Sequence, residues 1–473
     1  MIENAPESTA MADSPSPDMP AAEFRRYGKT LIDWVADFLE NPRQYPVLAS
    51  GQPGDLHRRL PANAPIEGEP MEKILQDFNR DVLPMVTHWN HPRFFAYFSI
   101  SSSAPGILAE LLTAALDVNA MLWKSCPAAT ELEQSTAAWM LDWLGLPSAW
   151  FGMIVDSASS AALQAVVAAR QRAEPESRSV GQSGRLVAYV SEHTHSSVEK
   201  AAITAGIGRS NVRHIAVDAE FGMSAAALAE AIRLDLSGNL KPFFMAATVG
   251  TTSSTAIDPV PAIAAICRQH GLWLHVDGAY GGALGVLPEC RHFLDGVDLA
   301  DSFVVNPPKL MTVPLDCCLF YTRSPEAVRA AFALEAEYLK TDVRGAVDYT
   351  DYGLALGRRF RALKLWFVMC YFGREGLAAI LRRSLKMAAW LGEQISGSSQ
   401  FELAAPVNMG LVCFRSRQGD DATRELMNRI NNAGMFFVSH TALNGRFTIR
   451  VAIGNIRTRW QDVEELWAAI SKP

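Results

Sequence analysis

At 473 residues, 49% apolar and 20% charged, the chain has the balance of an ordinary globular protein and the length for two or three domains. A net charge of −7 and a pI near 5.9, with no basic stripe, argue against nucleic-acid and anionic-membrane partners. No apolar run reaches the roughly 18 residues needed to cross a bilayer.

Residues 1–20 are rich in Pro, Ser, Ala and acids and are predicted to form a disordered tail, without the basic start and apolar stretch of a secretory signal. Phe24, Tyr27, Leu31, Trp34, Val35 and Phe38 recur at helical spacing, which predicts an amphipathic helix over 21–40. A Pro/Gly-rich stretch over 42–70 and a second helix over 71–83 follow. Together, residues 21–103 are expected to form a helical arm that packs on a partner subunit. His91–Phe98 is dense in aromatic residues, either core or pocket, and 99–103 is a polar turn.

Helices are predicted over 104–116 and 129–144, and strand–helix alternation begins at about 158. Strands are expected over 186–190, 212–216, 243–248, 272–276, 302–305 and 317–321, and helices over 161–172, 196–205, 224–233, 260–270 and 324–332. This alternation predicts an α/β fold, a largely parallel sheet with helices on both faces, over 104–367. Residues 334–353 are polar, Gly-containing and aperiodic, as expected of a lid. Helices over 358–372 and 377–395 lead to a small C-terminal α+β domain within 368–473, with strands over 401–403, 410–414, 436–438 and 447–452 and helices over 423–432 and 459–470. The seven cysteines are scattered without a metal-type CxxC, and Cys317-Cys318 reads as buried thiols, so a reducing cytoplasm is expected.

The chemistry gathers where strands end. Lys309 follows the apolar run 303–305, and Asp277 follows another, 32 residues earlier. Pyridoxal phosphate needs that pair: a lysine for a Schiff base and an acid to keep the pyridine nitrogen protonated. Asp156-Ser-Ala-Ser-Ser160 opens a helix, so it is either a phosphate cup or a plain N-cap. Ser191-Glu-His-Thr-His195 opens another; His195 could stack on a flat ring, or the turn is only a cap, while zinc lacks a third ligand beside His193. Thr248 ends a further strand in a small polar turn. No G-x-G-x-x-G follows a first strand, which argues against a nicotinamide enzyme.

In order, His91–Phe98, Pro127–Glu133, Ser157–Ser159, His195–Glu199, His275–Tyr280, Ala300–Phe303, Asn306–Lys309 and Leu356–Arg361 resemble the group II pyridoxal-phosphate decarboxylases, above all those acting on aromatic L-amino acids. The resemblance implies a fold-type I homodimer with active sites shared between subunits. It implies that Lys309 carries the cofactor, Asp277 pairs with its ring nitrogen and His195 stacks on the ring. Ala158, Ser159 and Asn306 match phosphate contacts, with Thr248 and Ala279 near the ring. Tyr338 matches a lid tyrosine that protonates Cα. Tyr97, Phe98 and Ile100 match the substrate pocket, together with Asn119, Met121 and Trp123 of the other subunit, and Gly357 leaves room for a bulky indole. The chain departs from the family at Pro308, where His is usual, and at Leu310, where Trp is usual. The expected reaction is decarboxylation of a Phe-, Trp- or Tyr-like amino acid to the amine. Two alternatives stand: oxidative deamination to an aldehyde, found in relatives that tend to lack the lid tyrosine, and a catalytically weak protein that only binds the cofactor.

Overall fold

A computed structural model describes residues 18–334, 343 and 345–472. The chain divides into two compact units, one of residues 1–45 and 49–86, the other of 46–48 and 87–473. The first holds helices α1 (Ala21–Glu40), α2 (Asp55–Arg59) and α3 (Met71–Asp77), after which the chain continues in π and 3-10 turns to Met85. Trp34 stacks on Phe38 at 5.4 Å and meets Phe78 edge-on at 6.0 Å. Of the apolar stripe on α1 only Tyr27 is buried, and Phe24, Leu31 and Ile32 are exposed. This unit has little core of its own.

The second unit runs α4 (Ala104–Leu116), α5 (Pro127–Leu144), β1 (Phe151–Val155), α6 (Ala158–Ala173), α7 (Ser177–Val180), β2 (Leu186–Ser191), α8 (Ser196–Thr204), β3 (Val212–Ile215), α9 (Ala225–Ser237), β4 (Lys241–Thr248) and α10 (Val260–His270). It continues through β5 (Trp273–Asp277), β6 (Ser302–Val305), α11 (Pro307–Leu310), β7 (Cys318–Thr322), α12 (Pro325–Phe332) and the long α13 (Arg361–Ser396). The sheet order is β1-β7-β6-β5-β4-β2-β3. β7 runs antiparallel to both its neighbours and the remaining pairs are parallel. Residues alternate between faces as strand geometry requires. Phe244 and Ala246 of β4 pack with α6 and α8, while Met245 and Ala247 pack with α9, α10 and α13. Both faces are therefore covered, and the strands read as continuous apolar runs.

β8 (Phe401–Leu403), β9 (Leu411–Ser416), α14 (Asp420–Asn432), β10 (Ser439–Leu443), β11 (Arg446–Ala452) and α15 (Trp460–Ser471) complete the chain. Their antiparallel sheet, ordered β10-β11-β9-β8, packs on α14, α15 and the second half of α13. The two helices expected over 358–372 and 377–395 are both present, as the two halves of α13 on either side of Gly373, whose φ of 61° breaks the helix. Two expectations need correction. β1 was not foreseen. Over the strand expected at 436–438 only Phe437 pairs, in an isolated parallel bridge with Phe94, and the continuous strand begins at Ser439.

Candidate active site

The ends of β1, β2, β4, β5 and β6 lie on one side of the sheet, because β1 and β6 both run antiparallel to the strand between them. The residues that follow them therefore converge. A cavity of about 200 Å³ is lined by Lys309, Asp277, His195, Ala158, Ser159, Thr248, Ala279 and Asn306, with Ser157, Ser197, Gly250, Thr252 and Tyr280 beside them. Every residue matched above to the cofactor lines this one space.

Lys309 sits in the short α11 directly after β6. Burial pushes its pKa down from the ordinary lysine value, and Asp277 opposes the shift. Its Nζ lies 5.4 Å from the centre of the Phe98 ring. Asp277 ends β5 and accepts the Ala279 N–H at 3.0 Å. The turn after it needs glycine: a Cβ on Gly278 would lie 2.4 Å from the Phe303 ring. Thr248 is the register partner of Asp277 on β4. Its N–H donates to buried Asp258 at 2.7 Å, while its Oγ1 is buried without a partner.

His195 caps α8, where its Nδ1 accepts the Ser197 N–H at 3.2 Å with the Ser197 hydroxyl at 2.8 Å. That arrangement puts the proton of the neutral ring on Nε2. Burial lowers the His195 pKa, opposed by Asp277 and reinforced by Lys309 and Lys200. Ser157 caps α6 by accepting the Ser160 N–H at 3.2 Å. The cap and cup readings are compatible, since Ser157 does the capping while Ala158 and Ser159 face the cavity lining. The first N–H groups of α6 have no acceptor within the helix and carry partial positive charge.

A separate cavity of about 380 Å³ is lined by Ile100 with Trp89, Asn90, Ser102, Pro314 and Leu315. Tyr97 has φ 52° and stacks on Trp89 at 5.4 Å. Phe98 stacks on Tyr280 at 3.7 Å. Asn119, Met121, Trp123 and Gly357 are not among the residues lining the Lys309 cavity. Gly357 lines another cavity, of about 490 Å³, with Asp156, Arg358 and Arg361, and the Asn119 side-chain oxygen accepts the N–H of the adjacent Arg358. Tyr338 lies outside the described residues. Sequence reasoning missed Trp89, Asp258 and Arg450. Arg450 had a signal, a charge inside the apolar run of β11; its guanidinium is buried, bonds Ser439 and the Thr252 carbonyl, and lies 5.3 Å from the Phe98 ring.

The family described as the pyridoxal-dependent decarboxylase conserved domain matches residues 53–417. The chain belongs to the pyridoxal-dependent decarboxylases. It is 39% identical to a phenylacetaldehyde synthase of Arabidopsis thaliana, over 96% of both chains. It is also 39% identical to an aromatic-L-amino-acid decarboxylase of Sus scrofa, over 96% of this chain and 98% of that one. The crystal structure of Oryza sativa TDC with PLP and tryptamine superposes with a TM-score of 0.93 at 36% identity, covering 96% of this chain and 97% of the other. As a group II member the chain is a carboxy-lyase, and its cofactor is pyridoxal phosphate.

The cavity of this decarboxylase suits such a group. Among the described residues, the buried Oγ1 of Thr248 and Oδ1 of Asn306 have no partner. A helix N-terminus stands at one end, an acid ends β5, and a lysine whose charge is disfavoured by burial stands on α11.

Proposed function

We propose that the protein decarboxylates an aromatic L-amino acid, taking up a proton at Cα and releasing the amine and carbon dioxide. The observation that carries this reading is the single cavity in which Lys309, Asp277, His195 and the start of α6 meet. Bound there, pyridoxal phosphate supplies an electron sink for the pair left when the Cα–carboxylate bond breaks. Lys309 holds the cofactor covalently through an amine that burial keeps available for attack. Asp277 holds a proton on the pyridine nitrogen. Ala158, Ser159 and Asn306, with the first turn of α6, bind the phosphate. His195, Thr248 and Ala279, which line the same cavity, would hold the cofactor ring. Tyr338 delivers the proton to Cα.

Phe98, Tyr97 and Ile100 form the near side of the substrate pocket. The far side, Asn119, Met121, Trp123 and Gly357, comes from the partner subunit of a homodimer. A second subunit is supported by the exposed apolar stripe Leu108, Leu111, Leu112 and Leu116 on α4. We assign residues 21–103 to dimerisation, 104–367 to the cofactor-binding domain and 368–473 to the small domain, behind a tail of 1–20. All seven cysteines are unpaired, which supports a cytoplasmic location. Among the described residues no helix is long and apolar enough to cross a membrane.

Purified protein loaded with pyridoxal phosphate should convert Phe, Tyr, Trp or dihydroxyphenylalanine to the amine, scored by mass spectrometry. Amine from none of them refutes the substrate class. Borohydride reduction and peptide mapping should place a pyridoxyl label on Lys309, and a label elsewhere refutes the site. The 39% identity to a phenylacetaldehyde synthase favours one second reading. In it, amino acid, oxygen and water give aldehyde, carbon dioxide, ammonia and hydrogen peroxide. Peroxide equimolar with carbon dioxide would establish that outcome; the presence of Tyr338 favours the amine.

A further inference from the structure

The loop that carries Asn119, Met121 and Trp123 is tied to the sheet and to α5 through a buried ion pair. Arg358 and Glu133 are 7% and 2% exposed, and Arg358 Nη2 donates to Glu133 Oε1 at 2.6 Å. The same guanidinium donates to the Ala120 carbonyl at 3.1 Å and to the Ile154 carbonyl at 2.8 Å, and lies 4.5 Å from the centre of the Tyr349 ring. Glu133 also accepts the Ile154 N–H at 2.7 Å, so the pair is anchored on both α5 and β1. The backbone of Arg358 adds two bonds to the loop: its N–H donates to Asn119 Oδ1 at 2.9 Å, and its carbonyl accepts the Ala120 N–H at 2.8 Å. The stitching continues from 348–350, where Asp348 accepts the Trp123 N–H at 2.9 Å and the Met121 carbonyl accepts the Thr350 N–H at 3.2 Å.

A buried charge pair is a poor source of stability compared with apolar packing of the same volume; its recurrent use is to fix one geometry. A guanidinium fork can hold three acceptors in fixed directions, which an ammonium cannot. Here the three acceptors are the loop, the helix and the strand. Among the described residues, the groups that Arg358 contacts include none of those lining the Lys309 cavity.

We propose that Arg358, clamped by Glu133, is the positioning residue for the 119–123 loop, and that it thereby sets substrate binding in the active site of the other subunit. This rests on the shared-site reading above. In the Arg358→Lys homodimer, the Michaelis constant for the aromatic substrate should rise about 10- to 100-fold while kcat changes less, as expected for displaced substrate contacts. The visible absorbance of the bound cofactor and its pH dependence should not move. The double variant Glu133→Gln/Arg358→Met leaves no stranded charge and should show the same rise, which keeps the test open if Arg358→Lys folds poorly.

The deciding measurement uses hybrid dimers purified through two tags, one subunit Lys309→Ala and the other Arg358→Lys. The one competent site then pairs an intact Lys309 with a loop held by a native Arg358. Its Michaelis constant should return to the native value, with about half the native turnover per dimer. A parallel hybrid of Lys309→Ala with Trp123→Ala tests the shared site itself. If that control recovers and the Arg358→Lys hybrid does not, Arg358 acts within its own subunit and the inference is overturned alone. If the control also keeps a raised constant, the shared-site reading fails and takes the inference with it.

Discussion

Lys309 Nζ lies 5.4 Å from the centre of the Phe98 ring, which also stacks on Tyr280 at 3.7 Å and has the Arg450 guanidinium 5.3 Å from its centre. Phe98, at the end of the aromatic segment 91–98, therefore contributes a water-poor wall to the amine proposed above to hold the cofactor. Burial is the largest cause of the lowered Lys309 pKa, and Phe98 supplies part of it. Replacing Phe98 by Ala admits water and should raise that pKa, leaving less neutral amine at pH 7. Each unit costs tenfold in the neutral fraction, so apoenzyme should bind pyridoxal phosphate about tenfold more slowly. The check is the rate of absorbance gain against pH: the profile should move to higher pH, and an unmoved profile shows that the wall does not control the amine.

Asp258 acts one step behind the site. Its carboxylate accepts the N–H groups of Thr248 at 2.7 Å and Met223 at 2.8 Å, which fixes the end of β4. An amide at this position presents an NH₂ to one of those donors. Asp258→Asn should lose about 1–3 kcal/mol of stability through the unpaired buried group, and kcat/KM should fall as Thr248 shifts. Urea unfolding and steady-state kinetics on the same preparation test both. A variant that is destabilised but retains full kcat/KM would confine Asp258 to the fold.

His275, buried on β5, predicts an acid limb to stability. Its Nδ1 lies 2.9 Å from Ser302 Oγ, which also accepts the Trp273 indole N–H. Burial pushes its pKa down from 6.5 to about 4, against a small pull from Asp277. The folded state thus binds its proton later than the unfolded state does. The contribution to stability is fully present above pH 6.5 and is lost as pH falls towards 4, on the order of 3 kcal/mol in all. His275→Gln should flatten this limb, measured as the difference in urea midpoints between pH 7.5 and 4.5. An equal difference in both proteins assigns the acid limb to other groups.

The cofactor-side residues were legible because strand ends in a doubly covered sheet gather on one side, so Thr248, Asp277 and Lys309 needed only their apolar runs to be placed. β1 was not legible: five residues pairing with β7, which lies far along the chain, leave no local signature. Phe436-Phe437-Val438 reads as strand because it is apolar, but its pairing stops at one bridge between Phe437 and Phe94, and the strand that follows has exposed His440 at its second position. Gly357 matched the substrate pocket in sequence, yet it lines a different cavity from Lys309 within one chain. Periodicity says which face a residue takes. It says nothing of which subunit that face will serve.

Ile100 gives the prediction that bears most directly on substrate choice. It lines its cavity with Trp89, Pro314 and Leu315, an apolar wall with polar groups only at Asn90 and Ser102. The Asn90 oxygen is already taken by the Ser102 N–H and by Arg457. A ring hydroxyl that meets the Ile100 side chain, rather than Ser102 or the Asn90 amide, finds no partner in it, and leaving it buried and unpaired costs about 1–3 kcal/mol. The native protein should therefore prefer Phe or Trp to dihydroxyphenylalanine. Ile100→Thr supplies a hydroxyl with almost the same branching, so it should raise kcat/KM for dihydroxyphenylalanine relative to Phe about tenfold. The ratio, measured by competition between the two amino acids in one reaction, is independent of the active fraction of enzyme. A ratio that stays put in the variant would mean that the ring hydroxyls point elsewhere, and the preference would have to be sought on the Trp123 side of the pocket.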